Sequence, residues 1–240
     1  MLEQKLMNIQ TSIQNALANR KSSFLTGREV TLIAVSKNHP VSAVEEAYRA
    51  GLRVFGENRV QEAKEKKAAF MKAAAWHLIG QLQTNKVNQA VQLFDMIQSV
   101  DRPNLVEALA KAAAKINKRQ SVLLELNISG ETSKSGAAPE EMARLARMIA
   151  DAPSLELRGL MVMAPLASEP VVRSVFQAGY RAFCELVDMR LPDTRIDTLS
   201  MGMSGDFPIA IEEGANMVRV GTGLFGAREY GKTGQEADEK

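Results

Sequence analysis

A chain of 240 residues has room for one large domain, and 45% hydrophobic with 24% charged residues is ordinary globular composition, which excludes a disordered, collagenous or disulfide-dense chain. Thirty Lys and Arg against 28 Asp and Glu leave a formal charge of +2, so no excess of basic charge draws the protein onto nucleic acid or anionic lipid. The one cysteine, Cys184, rules out an intramolecular disulfide and points to a reducing cytoplasm.

Leu2, Leu6, Ile9, Ile13 and Leu17 recur at steps of four and three, one face of an amphipathic N-terminal helix rather than the continuous apolar run of a signal peptide. Charged residues interrupt every later apolar run well short of the roughly 18 residues that a membrane span needs. Strands are then expected at about Thr31–Ser36, Arg53–Gly56, His77–Gly80, Met96–Val100, Val122–Asn127, Leu157–Met163, Ile196–Ser200 and Met217–Gly221. Between them fall helical patterns at about Val41–Ala50, Arg59–Ala74, Thr84–Leu93, Pro103–Asn117, Pro139–Asp151, Glu169–Arg190 and Asp206–Glu213. Gly51 and Gly214 follow helices, and Pro103 and Pro139 sit in first turns.

This βαβ rhythm calls for a parallel sheet, and eight such strands close most economically into a (β/α)8 TIM barrel, with the N-terminal helix as an addition. No compositional break divides the chain. Residues 1–230 are expected to form one domain and residues 231–240 a flexible polar tail.

A barrel places its active site at the C-terminal ends of its strands, so the residues after each run carry the functional question. Lys37 follows the apolar run Leu32-Ile33-Ala34-Val35, so its stem starts in the barrel mouth, where desolvation favours the neutral amine. Such a lysine forms a Schiff base with an aldehyde; a rim lysine paired with Glu57 is the plainer alternative. Ser200-Met201-Gly202-Met203-Ser204-Gly205 and Gly221-Thr222-Gly223 offer hydroxyls and backbone N–H groups where barrels often bind phosphate, though glycines here could also serve tight turns alone. Arg219 lies in an apolar strand and needs a partner, either a ligand or an internal carboxylate.

Gly221, Gly223 and Gly226 spell G-x-G-x-x-G, but too little chain follows for a dinucleotide fold. His39, His77 and Cys184 lack metal-ligand spacing; His77 reads as a hydrogen-bonded barrel residue and Cys184 as core packing.

These segments resemble the pyridoxal phosphate homeostasis protein family, single-domain relatives of the alanine racemase N-terminal domain. The likeness runs from about Ile33 to Tyr230. It rests on Ala34-Val35-Ser36-Lys37, on Phe55-Gly56-Glu57-Asn58 with Val60-Gln61-Glu62, and on Trp76-His77-Leu78-Ile79-Gly80 continuing Leu82-Gln83-Thr84-Asn85-Lys86. Asn127-Ile128-Ser129 with Ser133-Lys134-Ser135-Gly136, Arg158-Gly159-Leu160-Met161, Leu199-Ser200-Met201-Gly202-Met203-Ser204 and Val218-Arg219-Val220-Gly221-Thr222 extend it.

The resemblance implies an alanine racemase-like barrel (fold type III) that binds pyridoxal 5'-phosphate (PLP) as an internal aldimine on Lys37. Ser204, Gly221 and Thr222, with Ser200, would hold the phosphate, and Arg219 would lie toward the pyridine nitrogen. Asn58, His77 and Met201 would line the pocket, and Lys134 would be a secondary contact. His39, Gln81 and Gly205 depart from the family pattern without touching these groups. Racemases of this fold take their second base, a tyrosine, from an additional β domain. No room exists for that domain here, and the tyrosines are Tyr48, Tyr180 and Tyr230. An arginine beside the pyridine nitrogen also weakens the ring as an electron sink. The resemblance therefore implies a cytoplasmic cofactor-holding protein involved in PLP homeostasis and without robust catalysis, a monomer in transient contact with PLP-dependent enzymes. Weak racemase or transaminase activity, and a cofactor-free Schiff-base aldolase, are the enzymatic alternatives.

Overall fold

Strands that are apolar on both faces must be covered on both, and a closed barrel ringed by amphipathic helices does this. The structure, a computed structural model, describes residues 1–20, 24–131 and 135–226. The expected tail 231–240, Tyr230 and Lys134 lie outside the described residues. Among the described residues β1 (Thr31–Val35), β2 (Val54–Glu57), β3 (Ala75–Leu78), β4 (Met96–Val100), β5 (Gln120–Leu126), β6 (Leu155–Val162), β7 (Thr198–Met203) and β8 (Met217–Val220) pair in parallel in chain order. β8 returns to β1 through Ile33 opposite Arg219, and the barrel closes as expected.

The helices are α1 (Leu2–Asn19), α2 (Val41–Arg49), α3 (Val60–Ala69), α4 (Val87–Leu93), α5 (Pro103–Lys115), α6 (Met142–Ala150), α7 (Glu169–Asp188), α8 (Phe207–Glu212) and the short α9 (Thr222–Phe225). Their inner stripes and the outward strand residues form the main core, with Trp76, Phe55, Phe94 and Phe176 among its fully buried members. A second apolar cluster, Ile33, Val35, Met96, Leu123, Met161 and Met217, fills the barrel itself. α1 buries the expected Leu2, Leu6, Ile9, Ile13 and Leu17 against α8 and α9, so the added helix covers the flank next to the last strand ends.

Several boundaries differ from the sequence reading for identifiable reasons. α3 stops at Ala69, not Ala74, because Phe70 turns inward to meet Tyr48, Phe55 and Trp76, whose ring centroids lie 5.3, 5.9 and 6.1 Å away. β3 accordingly starts at Ala75, and β5 and β6 start earlier than expected because pairing extends to Gln120 opposite Leu155. β7 runs on through Met203: Gly202 has φ +89°, and a Cβ there would sit 2.6 Å from that of Ala210. This backbone is closed to other residues without strain. The loop therefore begins at Ser204, three residues later than the sequence suggests.

Candidate functional site

The strand ends converge on a cavity of about 290 Å³ at the barrel mouth, lined by Val35, Lys37, Asn58, Ile79, Met163, Met203, Ser204, Gly205, Arg219, Gly221 and Thr222. Lys37 enters half-buried, directly after β1 has delivered Val35 into the interior. Glu57, offered by sequence as a partner for Lys37, instead accepts from Lys66 Nζ at 2.7 Å and from Ser36 Oγ at 2.6 Å. Val35, Ile79 and Met163 supply apolar walls.

Beside the lysine, because β8 pairs with β1, the loops after β7 and β8 meet. Gly221 N–H and Gly223 N–H both donate to Ser204 Oγ, each at 3.2 Å. Two backbone donors thus converge on one hydroxyl, with the Thr222 side chain exposed beside them, a corner of backbone N–H and hydroxyl groups of the kind that suits an anion. The turn that presents Ser204 is fixed by Met203 N–H donating to Asp206 Oδ1 at 2.5 Å.

Arg219 forms the floor and is 3% exposed. Its Nη1 donates to Ser200 Oγ at 2.6 Å and its Nη2 to the Val162 carbonyl at 3.1 Å. Ser200 Oγ donates in turn to Gln98 Oε1 at 2.7 Å, and Gln98 Nε2 lies 2.9 Å from His77 Nδ1. A polar chain thus crosses the barrel from β8 through β7 and β4 to β3. Desolvation draws Arg219 down to about 10, which still leaves it cationic at neutral pH, and the charge of Glu125 opposes that fall. Burial holds His77 at about 4, so its imidazole is neutral at neutral pH. Glu125, buried on β5, is pushed up to about 7 by desolvation and by the charge of Asp101, against the pull of Arg219.

The structure brings Lys37, Asn58, Ser204, Arg219, Gly221 and Thr222 together as the sequence suggested. His77, Ser200 and Met201 lie outside the cavity lining. Ser200 faces inward but pairs with Met217, below Arg219, and its hydroxyl is fully engaged. Met201, one residue on, faces the helices: a Cβ on Gly179 of α7 would lie 2.8 Å from its sulfur. His77 is buried against Gln98, in the hydrogen-bonded role expected of it. Met163, Met203, Ile79 and Val35 were missed as lining; strict alternation along β1 and β6 would have found Val35 and Met163. Among the described residues no cluster of His, Cys, Asp and Glu could hold a metal.

Of the three departures, His39 and Gln81 lie outside the cavity lining and Gly205 is part of it. His39 packs on Phe225 with ring centroids 5.0 Å apart, Gln81 donates to Ser135 Oγ at 2.5 Å, and a Cβ at Gly205 would meet nothing within 4 Å.

The cavity suits a phosphorylated aldehyde. It offers one amine, the Ser204 and Gly221 corner on the neighbouring strand ends, and the Asn58 Oδ1 atom, buried and without a hydrogen-bond partner.

The closed eight-stranded parallel barrel with its added N-terminal helix is of the alanine racemase N-terminal domain class. Residues 12–229 match the family model described as "Alanine racemase, N-terminal domain". A Pasteurella multocida pyridoxal phosphate homeostasis protein is 43% identical over 96% of this chain and 99% of its own length, and an Escherichia coli protein of the same name is 41% identical over 85% and 88%. The chain belongs to the pyridoxal phosphate homeostasis protein family. A solved structure of PipY from Synechococcus elongatus with PLP bound is 37% identical, covers 94% of this chain and 100% of its own, and has a TM-score of 0.80. A Clostridium difficile alanine racemase, 14% identical over 90% of this chain and 55% of its own with a TM-score of 0.71, shares the fold.

Proposed function

We propose that the protein binds PLP in this cavity with Lys37 as the covalent anchor, and that it holds the cofactor to keep the free aldehyde low rather than to turn over amino acids. The observation that carries this reading is the placement of one half-buried amine and the Ser204, Gly221 and Gly223 corner at neighbouring strand ends around a single cavity of about 290 Å³. When bound, PLP supplies an aldehyde that condenses with a primary amine and a dianionic phosphate that seeks N–H donors. Lys37 presents the amine. Ser204 and Thr222 with the Gly221 and Gly223 amides hold the phosphate, Asn58 Oδ1 accepts a hydrogen bond, and Val35, Ile79 and Met163 keep water from the amine. Arg219 keeps a fixed positive charge on the floor; Ser200 and His77 support it from below.

Among the described residues neither tyrosine is placed to serve as the second base of a racemase. Tyr48 lies under the Arg53 guanidinium, 3.8 Å from its ring centre, and the Tyr180 hydroxyl accepts from Leu25 N–H at 2.9 Å. Among the described residues no tyrosine lines the cavity. The relatives are named for homeostasis, and PipY is described with PLP bound.

We also place the protein in the cytoplasm as a monomer that meets PLP-dependent enzymes transiently. Cys184 is a free thiol, and no helix among the described residues is long and apolar enough to cross a membrane. Light scattering on the purified protein tests the monomer, and a dimer overturns it. The cofactor reading is tested by Lys37→Ala: this variant loses the visible absorption of the PLP complex while its barrel stays folded, and a retained band refutes Lys37 as the anchor.

A further inference from the structure

Lys66 lies outside the cavity lining, on α3, yet its side chain is only 7% exposed and its ammonium has three acceptors. Nζ donates to the Ser36 carbonyl at 2.5 Å, to Glu57 Oε1 at 2.7 Å and to Glu62 Oε1 at 2.7 Å. Those acceptors bracket Lys37. Ser36, the residue before it, is also tied by its hydroxyl to Glu57 Oε1 at 2.6 Å and by its N–H to the Gly56 carbonyl at 3.1 Å. Asn38, the residue after it, donates its N–H to Glu62 Oε1 at 2.6 Å and has φ +61°, a left-handed conformation that needs external support in a non-glycine residue.

We infer that Lys66 is a positioning residue for Lys37: one buried ammonium, acting through Glu57 and Glu62, clamps the peptide on both sides of the anchor. The inference rests on the assignment of Lys37 as the PLP anchor for its consequence, not for its geometry. A lysine stem has four rotatable carbons, so an amine is aimed only as well as its backbone is held. The ion cluster supplies that hold where a loop would otherwise move. It also explains why a second lysine is buried so close to the mouth without entering it.

Lys66→Met removes the clamp but leaves Glu57 as an unpaired buried carboxylate, which threatens folding. The double variant Glu57→Gln/Lys66→Met removes the charge pair and keeps the shapes. Lys66→Arg is the conservative rescue, and Leu109→Ala, a fully buried α5 residue, is a control for general destabilisation. Two readouts are taken on the full chain. The first is amide hydrogen exchange at Asn38 without cofactor, which is slow in the wild type, about tenfold or more faster in the double variant, and partly restored by Lys66→Arg. The second is the rate at which the visible band of the PLP-loaded protein is lost on dilution into a trapping hydrazine, expected to rise about tenfold or more in the double variant and little in Leu109→Ala. Unchanged Asn38 exchange, or equal effects in the double variant and Leu109→Ala, overturns the inference. If the wild type takes up no PLP, the cofactor assignment fails and exchange alone decides the clamp.

Discussion

Burying ionisable groups inside a barrel leaves a signature in pH-dependent stability, and here two groups write it with opposite signs. Glu125 moves from an ordinary 4.5 to about 7 in the folded protein, chiefly by desolvation. Between those values the folded state holds the extra proton, so stability falls as pH rises through the window and the loss is complete above about 7. His77 moves from 6.5 to about 4, again by desolvation. Here the unfolded state holds the extra proton, so stability rises with pH from about 4 to 6.5. At about 1.4 kcal/mol per pH unit each contributes about 3 kcal/mol, and the two slopes nearly cancel across the overlap. Glu125→Gln removes only the falling limb. The assay is urea unfolding of the cofactor-free protein at several pH values, followed by the fluorescence of Trp76, the one tryptophan and 1% exposed. The stability of the variant minus that of the wild type rises by about 3 kcal/mol from pH 4.5 to 7. The contributions of other carboxylates are common to both proteins and drop out. A difference that stays constant over this range refutes the account of Glu125 as a desolvated carboxyl.

Other substitutions probe the cavity and its supports. Ser204→Ala takes the shared acceptor from the Gly221 and Gly223 amides, and PLP affinity falls about tenfold, roughly 1.4 kcal/mol, in an equilibrium titration. Arg219→Ala strands the Ser200 hydroxyl and the Val162 carbonyl and leaves Glu125 without its counter-charge, so chemical denaturation shows a loss of about 3 to 5 kcal/mol and PLP binding weakens. Gly202→Ala places a methyl 2.6 Å from the Ala210 Cβ at φ +89° and lowers stability by about 2 kcal/mol or more in the same assay.

The fold was legible because its signal is periodic and local: apolar runs of strand length alternating with amphipathic helices and punctuated by Gly51, Pro103 and Gly214. The site was legible where it follows strand ends, as for Lys37, Ser204 and Gly221. Non-local pairing hid the rest. Nothing near Ser200 in the chain announces that Gln98 and Arg219 take up its hydroxyl, or that Met201 faces the helices on a β7 that continues past the expected end at Ser200. The clamp under Lys37 was half visible, since Glu62 and Lys66 stand four apart on one helix, but Glu57 and the Ser36 carbonyl join them only through the fold. Glu125 interrupts the apolar run Val122-Leu123-Leu124-Leu126 on the inward side set by Leu123, a signal that alternation along β5 already contained.

The most direct test of the central claim is the near-ultraviolet and visible spectrum of the purified protein with added PLP, followed by borohydride reduction and mass mapping of the modified peptide. The account predicts a visible Schiff-base band and a reduced phosphopyridoxyl adduct on Lys37. A colourless protein that takes up no PLP, or an adduct on another lysine, contradicts it.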